Sequence, residues 1–350
     1  MNLNTFADKK YIYRYLSKNN HINGIFHISH GMAEHIGRYE WLISKLNDDG
    51  YHVISIDHRG HGKRIENNDD IGKFSDNQNG WEMVVNDFEI LINDTKKNFP
   101  HLKQFLLAHS MGSWIALSML KNELSIDGLI LSGSSKFPKL LITVQKLIIK
   151  VDILFNGRKK INNIMESLTT KRFNNYFKPN RTVSDWISND KNNVDNYVKD
   201  KLCGYKVTNG LWMDMAQGIE DAFKINDYNN INKNIPVLII SGSEDPVGEF
   251  KRGVISLYNF LRNFFTNMDI KIFEDERHEV FSGNKKREVY KSFKSFICNS
   301  LILLPNLLAL SVSNLGSARQ IIGILISVQN FELQSWIIKS GPMPAGSPGE

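Results

Sequence analysis

Cysteine is nearly absent. The chain holds two in 350 residues, Cys203 and Cys298, with no CxxC spacing and no histidine-rich neighbourhood at either. That argues against a disulfide framework and a thiolate metal site, and it fits a reducing compartment. No apolar stretch reaches the roughly twenty residues that span a bilayer. Residues Met1 to Tyr15 are polar and charged, without the apolar run of a secretory leader. Dense basic runs are scarce too. The net charge is +6, yet only Gly157-Arg158-Lys159-Lys160 and Lys285-Lys286-Arg287 cluster. Without a basic face carrying stacking aromatics, no nucleic-acid partner is expected. The charge is compatible with a weak attraction to anionic lipid surfaces. The expected location is cytoplasmic, with peripheral contact at a membrane left open.

What is present is ordinary globular composition, 41% hydrophobic and 23% charged, on a chain long enough for one α/β domain with an insertion. Strand-like runs recur at Tyr11–Tyr15, Ile25–Ser29, Tyr51–Ile56, Phe105–His109, Gly128–Gly133, Pro236–Gly242 and Ile270–Phe273. Helical spacing lies between them, over Arg38–Leu46, within Phe74–Asn98, after Ser110, over Gly248–Phe265 and over Lys285–Ile297. Apolar strands alternating with helices predict a mostly parallel sheet with helices on both faces. The alternation breaks from about Ser134 to Asn226, which is rich in Asn and Lys and poor in strand signals. This stretch reads as a mainly helical lid. Its apolar patches, around Leu140 to Ile149 and at Trp186, Tyr197, Leu202 and Leu211 to Met215, would face an acyl-sized cavity, pack onto the core, or both. The expected organisation is core 1–133, lid 134–226, core 227–298 and tail 299–350.

The centre of the pattern is Ala108-His109-Ser110-Met111-Gly112, a strand, a sharp turn and a helix. Small residues on either side of a serine allow a nucleophile elbow, with Ala108 where the usual pattern has glycine. The plainer alternative is a serine that only caps the following helix. A serine nucleophile needs a base, and the base needs an orienting group. Ser110, Asp245 and His278 occur in that order, and each directly follows a predicted strand. All three therefore fall at the carboxyl edge of the sheet, where open α/β sheets place their sites. His278 would serve as base and Asp245 as its orienting acid. Backbone N–H groups of Met32 and Met111 would bind the oxyanion. Asp275 is too close to His278 in sequence and reads as a turn residue, while Asp214 and Asp221 lie in the lid. His109 is expected to orient the turn. Cys203 has no elbow, and His58 and His61 read as turn residues with no further ligand set nearby.

His30-Gly31-Met32-Ala33-Glu34-His35 with Arg38-Tyr39, Asp57-His58-Arg59-Gly60-His61-Gly62, His109-Ser110-Met111-Gly112, Asp245-Pro246-Val247-Gly248 and Arg277-His278-Glu279 resemble the monoacylglycerol lipase/lysophospholipase group of α/β-hydrolases, the serine aminopeptidase S33-like group. Asp185-Trp186-Ile187-Ser188-Asn189-Asp190, Val194-Asp195-Asn196-Tyr197 and Cys203-Gly204-Tyr205 are similar to its bacterial branch. The likeness spans about Lys10 to Ile297. It implies an α/β-hydrolase fold, hydrolysis of carboxylic esters of monoacylglycerols or lysophospholipids, and no metal or organic cofactor. A thioesterase or aminopeptidase on the same triad, or a non-catalytic lipid-binding homologue, are the alternatives. Lys63-Arg64 departs from the serine common after this glycine turn. Beyond Asn299 the chain is apolar but interrupted by Pro305, has a short apolar run at Ile321–Val328, and ends in a Gly/Pro/Ser-rich stretch expected to be disordered.

Overall fold

The computed structural model describes residues 10–77, 79–122, 124–228 and 231–309, with side chains to residue 299 except at 226 and 227. In chain order the elements are β1 (Ile12–Tyr15), β2 (Gly24–Ser29), α1 (Glu40–Asp48), β3 (Tyr51–Ile56), α2 (Gly80–Asn98), β4 (Gln104–His109), α3 (Met111–Leu120) and β5 (Gly128–Ser132). Next come five helices, α4 (Lys139–Asn156), α5 (Asn163–Leu168), α6 (Thr170–Asn175), α7 (Lys191–Lys199) and α8 (Asn209–Ala222). The series closes with β6 (Val237–Gly242), α9 (Arg252–Leu261), β7 (Met268–Phe273) and α10 (Lys286–Ala309).

The strands form one seven-stranded sheet in the order β1-β3-β2-β4-β5-β6-β7. Only β1 runs antiparallel to its neighbour, pairing Ile12 with Ile56. Every residue of β2, β3, β4, β5 and β6 is buried. That is why these strands read as continuous apolar runs rather than alternating ones: helices around the sheet leave neither face to water. β4 sits at the centre, with Ala108 opposite Ser29 of β2 and Leu131 of β5. The α/β alternation and the mostly parallel sheet are those expected from the sequence. Between β5 and β6, residues 134–226 hold five helices, and their single β contact among the described residues is the bridge from Ile161 to Thr208.

Three element boundaries differ from expectation. A 3-10 turn over Ile36–Tyr39 precedes α1, started by His35, whose Nδ1 accepts from the Gly37 N–H. α9 is shorter than the spacing suggests. Glu249, Phe250 and Lys251 have φ of +49°, +52° and +81°, which no right-handed helix accommodates. α10 continues through Pro305 to Ala309, past the expected end at Ile297. The sheet and the site described next belong to a compact unit ending at Ile297. No described helix is long and apolar enough to cross a membrane. The 321–328 run and the chain's last stretch lie outside the described residues.

Candidate active site

β4 delivers the chain to Ser110, which has φ +50° and ψ −122°. A positive φ at a residue with a Cβ is strained and is held by its surroundings. Here the Ser110 N–H donates to the Ser132 carbonyl at 2.9 Å, and the Ser110 carbonyl accepts from the Ser113 N–H at 2.8 Å and from the Ser113 hydroxyl at 2.5 Å. Gly112 permits the turn: a Cβ there would lie 2.1 Å from the Ser29 carbonyl oxygen of β2. Ala108, where the usual pattern has glycine, is fully buried within β4.

Asp245 follows β6 and His278 follows β7. Both side chains are buried, and His278 Nδ1 lies 3.0 Å from each carboxylate oxygen of Asp245. Burial pulls the imidazole pKa down, but the Asp245 charge and hydrogen bond, with Glu279 and Glu34 behind them, raise it above the ordinary histidine value. His109 packs its ring 4.6 Å from that of His278. Its own pKa is held well below normal by burial and by His278. Gly133, at φ +56°, leaves room for the imidazole, since a Cβ there would be 2.9 Å from His278 Cε1. Ser110 and His278 line one cavity of about 700 Å³ together with Met32 and Met111, a size common for small-molecule sites. No hydrogen bond joins Ser110 Oγ to His278 among the described residues; such contacts often tighten only with substrate bound.

The loop after β2 carries a network that the sequence did not single out. Gly31 N–H (2.5 Å) and the Tyr39 hydroxyl (2.7 Å) both donate to Glu34 Oε1. Burial and then the nearby Glu279 push the Glu34 carboxyl up to about 7. Arg38 pairs with Glu279 at 2.9 Å and also donates to Asn193 Oδ1 at 2.6 Å. The residue after His278 is thereby tied to the loop that carries Met32. Ala33, at φ +55°, turns its carbonyl to the Gly204 N–H at 2.9 Å and to the Tyr197 hydroxyl at 3.2 Å. The sequence signal for this network was the charge and polarity of Glu34, Arg38 and Glu279 within motifs that also hold Gly31 and His278.

The competing groups are occupied elsewhere. Asp214 pairs with Arg158 at 2.7 Å, Asp221 with Lys224 at 2.5 Å, and Asp275 sits in a left-handed turn beside Lys285. Burial drives the Cys203 thiol pKa up, away from a reactive thiolate. His35, Asp200 and Cys203 cluster as potential metal ligands. However, His35 Nδ1 accepts from Gly37, so the proton lies on Nε2, 2.8 Å from Asp200, and no imidazole lone pair faces the cluster. His58 bonds Ser29 Oγ at 3.0 Å and His61 bonds the Arg59 carbonyl at 2.7 Å, both inside the protein. Lys63 donates its N–H to Asp57 at 2.7 Å, and Arg64 pairs with Asp87 at 2.6 Å, so the departure after Gly62 is absorbed locally.

The comparisons agree with this architecture. A Monkeypox virus protein described as a monoglyceride lipase homolog is 26% identical over 313 residues, 83% of this chain and 96% of that protein. The phospholipase YtpA of Bacillus subtilis is 27% identical over 272 residues, 77% of this chain and 93% of its own. A crystal structure of a highly thermostable carboxyl esterase from Bacillus coagulans superposes with a TM-score of 0.74 at 26% identity, over 82% of this chain and 93% of that one. A family model described as Serine aminopeptidase, S33, matches residues 20–285. With three quarters of its length inside that match and its sheet superposing on an esterase of the same architecture, the chain belongs to the S33 serine aminopeptidase family of α/β-hydrolases.

Proposed function

We propose that this protein is a serine hydrolase that cleaves carboxylic esters of single-chain lipids, monoacylglycerols or lysophospholipids, through an acyl-enzyme on Ser110. The observation that carries the reading is the buried Asp245–His278 pair, which opens onto the same cavity as the strained Ser110. Ester hydrolysis agrees with the described activities of the relatives, a monoglyceride lipase homolog, a phospholipase and a carboxyl esterase. Ser110 Oγ attacks the ester carbonyl while His278 Nε2 takes its proton. Asp245 fixes the tautomer and stabilises the imidazolium. The N–H groups of Met32 and of Met111, the first residue of α3, receive the oxyanion; losing one such donor typically costs about a hundredfold or more in rate. His278 then protonates the leaving alcohol, and water releases the acid by the reverse sequence.

Residues 134–226 serve as the lid. Leu141 of α4 and Trp212 and Met215 of α8 give the cavity an apolar wall suited to an acyl chain. This wall favours acyl esters over peptide amides. The outer face of α4 exposes Leu140, Val144, Leu147, Val151, Leu154 and Phe155, while Ile142 and Ile149 point inward. A helix that turns an apolar stripe to solvent beside a lipid-sized cavity suits peripheral contact with a membrane surface. Reaction with a fluorophosphonate probe tests the catalytic reading: labelling maps to Ser110 and is lost in Ser110→Ala. A panel of esters, thioesters and aminoacyl amides then separates the alternatives.

A further inference from the structure

Trp186 comes from the proposed lid, in the turn Asp185–Ile187, yet its ring lies against the imidazole of His278, with centroids 5.1 Å apart and planes at 33°. It lines the cavity beside Ser110. Its place is fixed from several directions. The Trp186 N–H donates to Asn174 Oδ1 at 3.1 Å, and its ring packs against Phe173. Arg277 donates to the carbonyls of Asp185 (2.6 Å) and Ser188 (3.3 Å), and the Glu279 N–H donates to the Ile187 carbonyl at 2.7 Å. The residues immediately before and after His278 are therefore both bonded to the turn that carries Trp186. Arg277 is itself held by the Phe177 ring, 3.9 Å from its guanidinium. A tryptophan placed only to bury lid surface would not need its turn bonded on both sides of one histidine.

We propose that Trp186 is a positioning residue for His278, holding the imidazole plane fixed and dry while the proton passes from Ser110 to the leaving group. This role rests on the reading of His278 as the general base. The mechanism is physical: a base aimed within a few tenths of an ångström retains its share of the rate, whereas a ring free to rotate loses it. The charged and titratable groups around the imidazole are Asp245, Glu279, Glu34 and His109, with Arg38 and Arg277 beyond them.

The test compares wild type with Trp186→Phe, Trp186→Leu and Trp186→Ala. The rate of labelling by a small alkyl fluorophosphonate is read across pH, alongside kcat and KM on a short-chain nitrophenyl ester. The expected result is that Phe stays within about threefold of wild type, whereas Leu and Ala label about tenfold or more slowly across the whole pH range and KM changes by less than about threefold. If Ala does not fold, the Leu-against-Phe comparison decides alone. Equal labelling rates across the series, or a loss confined to KM, would overturn the proposal. A wild type that does not label overturns instead the assignment of Ser110 and His278 on which it stands.

Discussion

At the scale of single residues, the proposed mechanism depends on one buried acid. Asp245 offers both oxygens to His278 Nδ1 and also accepts from the Val247 N–H at 2.8 Å, so its carboxylate cannot swing away. Replacing it with asparagine keeps the size but offers an amide N–H where an acceptor is needed, which favours the wrong imidazole tautomer. Asp245→Asn is expected to lower kcat by about a thousandfold or more with little change in KM. Its thermal unfolding should remain close to wild type, which steady-state kinetics and calorimetry together check. An Asp245→Asn variant with near-normal kcat would remove Asp245 from the triad. The placement of Ser110, Asp245 and His278 after β4, β6 and β7 was legible in the sequence because each is a local event: a residue at the end of an apolar strand, in a fixed chain order. Trp186 was legible as an apolar residue of the expected lid and as part of a family motif, not as a neighbour of His278. Its contact with His278 depends on where the turn after α6 lands, and no periodicity encodes that.

At the scale of elements, the strands and most helices were readable because burial on both faces makes β2 to β6 continuously apolar. What the pattern missed was local backbone geometry and long-range side-chain pairing. The left-handed run Glu249-Phe250-Lys251 cut α9 short although none of the three is glycine. The Glu34–Tyr39–Arg38–Glu279–Asn193 network joins three separate elements and has no periodic signature. The reverse case is α4, whose apolar spacing suggested burial. Leu147 and Leu154 are instead 62% and 79% exposed. If that stripe meets lipid, Leu147→Ser with Leu154→Ser should leave unfolding unchanged and lower co-sedimentation with anionic phosphatidylglycerol vesicles severalfold, given about 0.8 kcal/mol per buried CH₂. Unchanged vesicle binding would mean that α4 faces water only.

For the whole molecule, the unusual feature is the number of histidines kept neutral inside it. Burial lowers the pKa of His27, His30, His58, His61 and His109, to about 3 for His30 and His61. In the unfolded chain these groups titrate near 6.5. Above that pH both states are neutral and nothing is gained or lost. Below it the unfolded chain binds the extra protons, so stability falls as pH drops, by up to about 1.4 kcal/mol per pH unit for each histidine until its folded pKa is reached. Glu34 acts in the opposite sense between about 4.5 and 7, because its folded pKa is raised. Glu89, Asp214, Glu276 and His278, also raised, act with it, but four of the five histidines are held far below this window and outweigh them. Urea unfolding at pH 7, 6 and 5 should therefore show a falling midpoint. A midpoint that holds or rises on acidification would contradict the buried neutral cluster.

The most direct single measurement is the fluorophosphonate reaction of the full chain, followed by mapping of the modified peptide. A covalent adduct on Ser110, absent from Ser110→Ala and strongly slowed in Asp245→Asn, is the predicted result. A folded wild-type protein that forms no adduct, or one modified at another serine, would contradict the catalytic assignment and leave the fold as a scaffold for binding.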